Sequence, residues 1–177
     1  MVYKEKASGG VSLLISMLTR YPEVARANFG PEEMKLVFLV KRAFSPEEMS
    51  ALRGKLDEHL QTFAWLRGQE TPSIILDVCD EEEIALLELH RDLDSISLEE
   101  INMVVELLRQ EVGELLLTDE REVADEDDLR WQEEMIEEML EDVRLTRQGQ
   151  RLCALREGGR VFVFNERGSN SRGSGKG

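Results

Sequence analysis

The residues of this chain that could do chemistry are mostly carboxylates, and many of them lie in one segment. Residues 119–142 hold thirteen acidic residues against Arg121 and Arg130, so this segment carries a net charge of −11 out of the −15 of the whole chain. Acidic pairs at 133–134, 137–138 and 141–142 alternate with apolar residues. This spacing predicts an amphipathic helix with one acidic face.

Three interpretations of the acidic helix stay open. Its acids form a solvated surface over an apolar stripe, a docking surface for a basic protein partner, or a carboxylate metal centre. Di-metal centres in helical bundles need Glu-x-x-His pairs, and this segment contains no histidine. If the helix docks a partner, the candidate binding residues are Glu133, Glu134, Glu137, Glu138, Glu141 and Asp142.

A second group of acids, Asp77 with residues 80–83, lies at a predicted turn between two strands. It lacks the alternating Asp/Asn ligands and the central glycine of an EF-hand loop, so a polar hairpin tip is the favoured interpretation. As a weak divalent-cation site it would use Asp77, Asp80 and Glu82, with His90 as a further candidate ligand.

The sequence gives no positive indication of catalysis. Cys79 and Cys153 form no Cys-x-x-Cys pair, and they are expected to be small buried side chains. His59 and His90 are far apart in the sequence, and the chain contains no nucleophile elbow, phosphate-binding glycine loop or dinucleotide fingerprint. We therefore predict no catalytic residue and no cofactor, and we favour a protein that is not an enzyme.

Two capping boxes define the elements that position these side chains. Ser45-Pro46-Glu47-Glu48 and Ser97-Leu98-Glu99-Glu100 each open an amphipathic helix, since the serine hydroxyl can accept the N–H of the residue three positions on. Two predicted strands precede each box, and the boxes lie 52 residues apart. The pattern predicts two ββα units, which suggests an internal repeat.

The fold class predicted from this pattern is α+β, with a mixed or antiparallel sheet covered on one face by helices. If residues 114–118 form a strand, residues 35–118 have the element order βαββαβ. This is the order of a ferredoxin-like core. A long acidic helix over residues 127–148 and a C-terminal β-hairpin around Gly158-Gly159 follow. We expect a single domain over residues 1–166 and a disordered Gly/Ser-rich tail over residues 167–177.

The aromatic residues are few and are expected to serve packing. Phe38, Phe162 and Phe164 fall in predicted strands with aliphatic neighbours, which favours core positions over a base-stacking platform. Trp65 and Trp131 fall in helices and are expected to pack there, although either could anchor an interface if exposed.

The net charge narrows the classes of partner. An acidic surface repels phosphate backbones, so nucleic acid is not expected as a partner. The apolar run at residues 11–18 is too short to span a bilayer, and we expect a cytoplasmic protein without membrane contact. The first hypothesis is a regulatory or interaction protein that presents the acidic helix to a basic partner, with a homodimer as a further hypothesis. The alternative is a small-ligand or metal-binding module.

Overall fold

The computed structural model describes residues 9–69, 83–119, 124–147 and 149–166, together with the backbone of residues 75–81. Within these residues the chain forms four α-helices and six β-strands, an α+β architecture as predicted. In chain order these are α1 (Gly9–Arg20), β1 (Arg26–Phe29), β2 (Glu33–Val40), α2 (Pro46–Leu66), β3 (Ile75–Glu81), β4 (Ile84–Asp92), α3 (Leu98–Val112), α4 (Glu126–Thr146), β5 (Leu152–Glu157) and β6 (Arg160–Asn165).

The strands form one antiparallel sheet in the order β3-β4-β2-β1-β5-β6. Strand β2 pairs with β4 along its whole length, from Glu33 opposite Asp92 to Val40 opposite Ala85. The units β1-β2-α2 and β3-β4-α3 therefore meet through their second strands. The 52-residue offset of the capping boxes also relates the first residues of α2 and α3, Pro46 and Leu98. Whether the two units arose by duplication stays a prediction.

The ferredoxin-like alternative required a strand at residues 114–118, and that prediction is wrong. Residues Gly113–Leu115 form a short 3-10 helix, and Leu116 makes only an isolated antiparallel bridge with Val40. The physical reason is that β1 already pairs with β2 from Met34 to Val37. Only the last part of this edge of β2 is left for residues 115–117. They form backbone hydrogen bonds there with Leu39 and Lys41.

All four helices contribute to one hydrophobic core on one face of the sheet. On β2 the side chains of Met34, Leu36, Phe38 and Val40 alternate onto this face and are buried in the core. The opposite face, which we call the open face, carries the intervening residues such as Lys35 on β2 and Glu88 and His90 on β4. The prediction that helices cover one face of a sheet is thus confirmed for the described residues.

Both predicted caps are present, but only half of each capping box forms. Ser45 accepts a hydrogen bond from the N–H of Glu48 at 3.1 Å, and Ser97 accepts one from the N–H of Glu100 at 3.3 Å. The carboxylate of Glu48 pairs with Arg42 instead of returning to its cap. The serines therefore start the helices while the glutamates fasten them to neighbouring segments.

An ion pair that sequence reasoning missed joins α3 to the end of β4. Arg91 and Glu100 are both buried, and the guanidinium binds the carboxylate through two hydrogen bonds, one of them 3.0 Å long. Arg91 also donates to Asp92 at 2.8 Å and to Ser95 at 3.1 Å. Burial opposes the charged form of Asp92, but the Ser95 hydroxyl and Arg91 outweigh it and lower its pKa. The buried pair of Arg91 and Glu100 joins α3 to the end of β4.

Other boundaries differ by a few residues. The acidic turn predicted at residues 80–83 is shorter, since β3 runs to Glu81 and β4 begins at Ile84. The C-terminal hairpin is as predicted, with positive φ angles of 59° at Gly158 and 75° at Gly159. The predicted disordered tail, residues 167–177, lies outside the described residues.

Candidate functional site

The acidic helix α4 begins with a cap that its own sequence supplies. Asp125 accepts a hydrogen bond from the N–H of Asp128 at 2.8 Å, and acids in the first turn favour the positive end of the helix dipole. Ile136, Leu140 and Val143 form its buried stripe. The helix ends at Thr146, and the C-cap residue Arg147 has a left-handed backbone with φ of 34°.

Contacts with α1 and with the segment after β4 fix the inner side of α4. Arg20 of α1 donates to Glu133 at 2.6 Å, and Ser16 of α1 contacts the sulfur of Met139 at 3.7 Å. At the other end Arg144 donates to the backbone carbonyl of Leu93 at 2.8 Å. Because these contacts hold the helix at several points from Glu133 to Arg144, its opposite side is presented to solvent in a defined orientation.

This solvent-facing side, which we call the outer face of α4, combines carboxylates with two large apolar side chains. At 100° per residue, four acids fall on the same side as Trp131 and Leu145. Trp131 is 62% exposed and Leu145 is 76% exposed, although both are large and apolar. The acids of the outer face are Asp127, Glu134, Glu138 and Asp142, and none of them forms an ion pair with another described residue.

The six predicted partner-binding residues do not lie in one environment. Glu133 is partly buried in its pair with Arg20, so it belongs to the fold. Glu141 lies 3.6 Å from Arg144 but is mostly exposed. Glu137 is exposed on the flank, and Glu134, Glu138 and Asp142 lie on the outer face. The structure therefore brings together three of the six and separates Glu133 from them.

The sequence-based prediction for the two tryptophans was wrong, and Leu145 was not singled out. Trp131 was expected to pack within the protein, and this prediction is wrong, as it is for Trp65, which is 77% exposed. A signal was present in the sequence, because Trp131 and Leu145 fall off the stripe formed by Ile136, Leu140 and Val143. An apolar residue out of phase with the buried stripe indicates an exposed position.

The predicted metal ligands are only partly within the described structure. The side chains of Asp77 and Asp80, and the whole of Glu82, lie outside it. His90 is on the open face, with its Nε2 atom 3.5 Å from Glu88, which in turn lies 3.6 Å from Lys35. Among the described residues no three His, Cys, Asp or Glu side chains come together as a metal site. The metal hypothesis stays a prediction.

Comparisons with known proteins give no family for this chain. Models of protein families, curated proteins and solved structures all returned no match. Among the described helices, none has both the length and the apolar character needed to cross a membrane.

Proposed function

We propose that this chain is a non-enzymatic interaction protein whose outer face of α4 binds a basic, amphipathic segment of a protein partner. The observation that supports this proposal is the coincidence of exposed carboxylates with Trp131 and Leu145 on one side of a firmly held helix. We expect this binding in the cytoplasm, as the sequence predicts.

The two kinds of side chain have complementary roles in such a site. Carboxylates attract lysine and arginine and speed association, although exposed ion pairs add little affinity on their own. Trp131 supplies the apolar contact that a purely solvated acidic surface lacks, and its ring can also hold a cation over its face. Trp131 and Leu145 are 14 residues apart, which is about 21 Å along the helix axis. A basic helix of similar length, with an apolar residue near each end, fits this surface.

Charge reversal on the outer face tests the proposal. The variant Glu134→Lys, Glu138→Lys and Asp142→Lys should bind a synthetic amphipathic helical peptide of lysine and leucine at least about tenfold more weakly than the wild type. Fluorescence anisotropy of the labelled peptide, measured at fixed salt, gives the dissociation constants.

A second triple variant is the matched control. Glu58→Lys, Glu106→Lys and Glu114→Lys reverse exposed acids on other segments and bring the same change in net charge, from −15 to −9. This control should keep most of the affinity. Equal weakening of both variants would show that the peptide responds to net charge alone, and the proposed site would then be wrong.

A photo-crosslinking residue in place of Leu145 identifies the natural partner in the cells of origin. We expect a discrete crosslinked protein with a basic amphipathic segment, and we expect it to disappear in the outer-face variant but not in the control variant.

A further inference from the structure

Strand β6 is an edge of the sheet, and nothing in its described residues protects it from pairing. It follows β5 in the strand order with no described strand beyond it. Natural edge strands are usually blunted by proline, bulges or charged residues. The sequence of β6 is Arg-Val-Phe-Val-Phe-Asn, with one charge at its first position. The opposite edge, β3, carries Asp77, Asp80 and Glu81 in its sequence, so the two edges differ sharply.

The backbone of β6 determines which residues could pair with another strand. Glu166 donates its N–H to the carbonyl of Arg151 at 2.8 Å, so this opposed pair is hydrogen-bonded. Antiparallel ladders alternate hydrogen-bonded and non-bonded pairs. Arg160, Phe162 and Phe164 therefore direct their backbone groups towards β5. The N–H and C=O groups of Val161, Val163 and Asn165 point outward from the edge.

The side chains on the open face give this edge an unusual apolar character. Phe162 is 47% exposed and Phe164 is 48% exposed, so the prediction that both are core residues is wrong. They lie opposite Leu155 and Cys153 of β5, on the face that the helices leave uncovered. Phe38, by contrast, is buried in the core as predicted.

We propose that β6 pairs antiparallel with β6 of a second copy of this chain, so that the two sheets become continuous. Val163 would lie opposite its own counterpart, and Val161 opposite Asn165 of the second copy, so that all the outward backbone groups are used. This surface is separate from the outer face of α4 and does not depend on the function proposed for it.

The side chains of β6 are complementary to themselves in this register. Phe162 of each copy lies opposite Phe164 of the other copy, so this pair occurs twice. Both are non-hydrogen-bonded pairs, in which side chains approach each other most closely. Arg160 lies opposite Glu166 of the second copy, also twice, so each end of the junction gains an opposite-charge pair. Shifting the register by two residues places Arg160 opposite Phe164 and loses both ion pairs. A shift by one residue would place residues whose backbone groups point outward opposite residues whose backbone groups point towards β5.

Helix α1 adds an independent argument, because it packs on β5 and β6 beside this edge. Its sequence contains no acidic residue in a chain of net charge −15. It also exposes 42% of Ile15 and the side chain of Thr19. Depletion of charged residues around exposed apolar ones is the compositional signal of the centre of an interface.

Charge exchange across the junction tests this pairing in the full-length protein. Sedimentation equilibrium should show a monomer–dimer equilibrium for the wild type. Arg160→Glu and Glu166→Arg each place like charges opposite one another twice, so each should weaken the dimer at least about tenfold. The double variant restores opposite charges in reversed order and should recover most of the lost affinity.

Recovery in the double variant separates pairing from a merely structural role, since Glu166 also contacts Arg26 and Asn28 within the chain. A wild-type protein that is monomeric up to about 100 μM would overturn the proposal. So would a dimer that neither single variant weakens, or one that the double variant fails to restore. Circular dichroism confirms that each variant is folded before its affinity is compared.

Discussion

At the scale of single residues, the ion pair of Arg91 with Glu100 is the most deeply buried ion pair among the described residues. Both side chains are almost inaccessible to water, and each is held by more than one hydrogen bond. Removing one member of a buried pair leaves the charge of the other uncompensated. The free-energy cost of that charge is far larger than the net stabilisation that the pair provides. The fold of α3 against β4 therefore depends on both residues being present.

Glu100→Ala should lower the free energy of unfolding by about 3–5 kcal/mol, because it leaves the buried Arg91 with fewer partners. Urea unfolding followed by circular dichroism measures the change. The exposed Glu106 lies on the same helix, and Glu106→Ala should change stability by no more than about 0.5 kcal/mol. A loss in Glu100→Ala as small as that of the control would contradict this account of the ion pair.

The sequence predicted some of these residue contacts and could not predict others. The serine caps were predictable because they involve residues three positions apart, where local spacing determines the geometry. The partner of Glu100 was not, because Arg91 reaches it only after β4 and α3 have packed together. The exposed state of Phe162 and Phe164 was missed for a related reason. Alternation assigns residues to two faces, but it does not say which face the helices will cover.

At the scale of elements, α4 shows how a helix rich in like charges can still be stable. Its stacked acids repel one another at i and i+4, and the described structure offsets this with a cap, a buried stripe and contacts from Arg20, Arg144 and Arg147. Arg147 pairs with Asp94, and this pairing raises the pKa of the guanidinium. The acids on the outer face have no such compensation among the described residues, which is consistent with the proposed binding of a basic segment.

The cap of α4 gives a test at this scale. Asp125→Ala removes the acceptor of the Asp128 N–H and should destabilise the protein by about 0.5–2 kcal/mol. Asp125→Asn removes the charge but keeps the acceptor, so it should cost much less. Thermal unfolding followed by far-ultraviolet circular dichroism compares the two. An equal loss in both variants would mean that the charge at the helix terminus matters and the hydrogen bond does not.

Elements were predicted more reliably than their arrangement. The helices, the hairpin and the two ββα units follow from local periodicity, caps and turn glycines. The strand predicted at residues 114–118 does not form, because an apolar run becomes a strand only if a strand edge is available to pair with. Strand β1 occupies most of the edge of β2 that these residues reach. Competition between segments for the same edge is a property of the assembled sheet, and no local pattern contains it.

At the scale of the whole molecule, the described surface divides into regions of different character. The outer face of α4 is acidic with two apolar side chains, whereas the edge formed by β6 and α1 is apolar with few charges. A chain of net charge −15 resists self-association through its acidic regions. Strand β6 and helix α1 contain no acidic residue, so the two proposed interfaces are compatible with one distribution of charge.

The two tryptophans allow the outer face of α4 to be observed directly. Trp131 lies on α4 and Trp65 near the end of α2, and both are exposed. In the variant Trp65→Phe, binding of the lysine–leucine peptide should shift the emission of Trp131 to shorter wavelengths, because the indole leaves water. In Trp131→Phe, the same titration should leave the emission of Trp65 unchanged.

Salt separates the electrostatic part of this binding from the apolar part. Screening shortens the reach of exposed charges to about 10 Å at 0.1 M and about 3 Å at 1 M. The dissociation constant of the peptide should therefore rise with salt, while the shift in Trp131 emission at saturation stays the same because the bound indole has the same surroundings. If Trp65 and Trp131 respond equally at every salt concentration, the peptide coats the protein without a defined site, and the role assigned to the outer face of α4 is wrong.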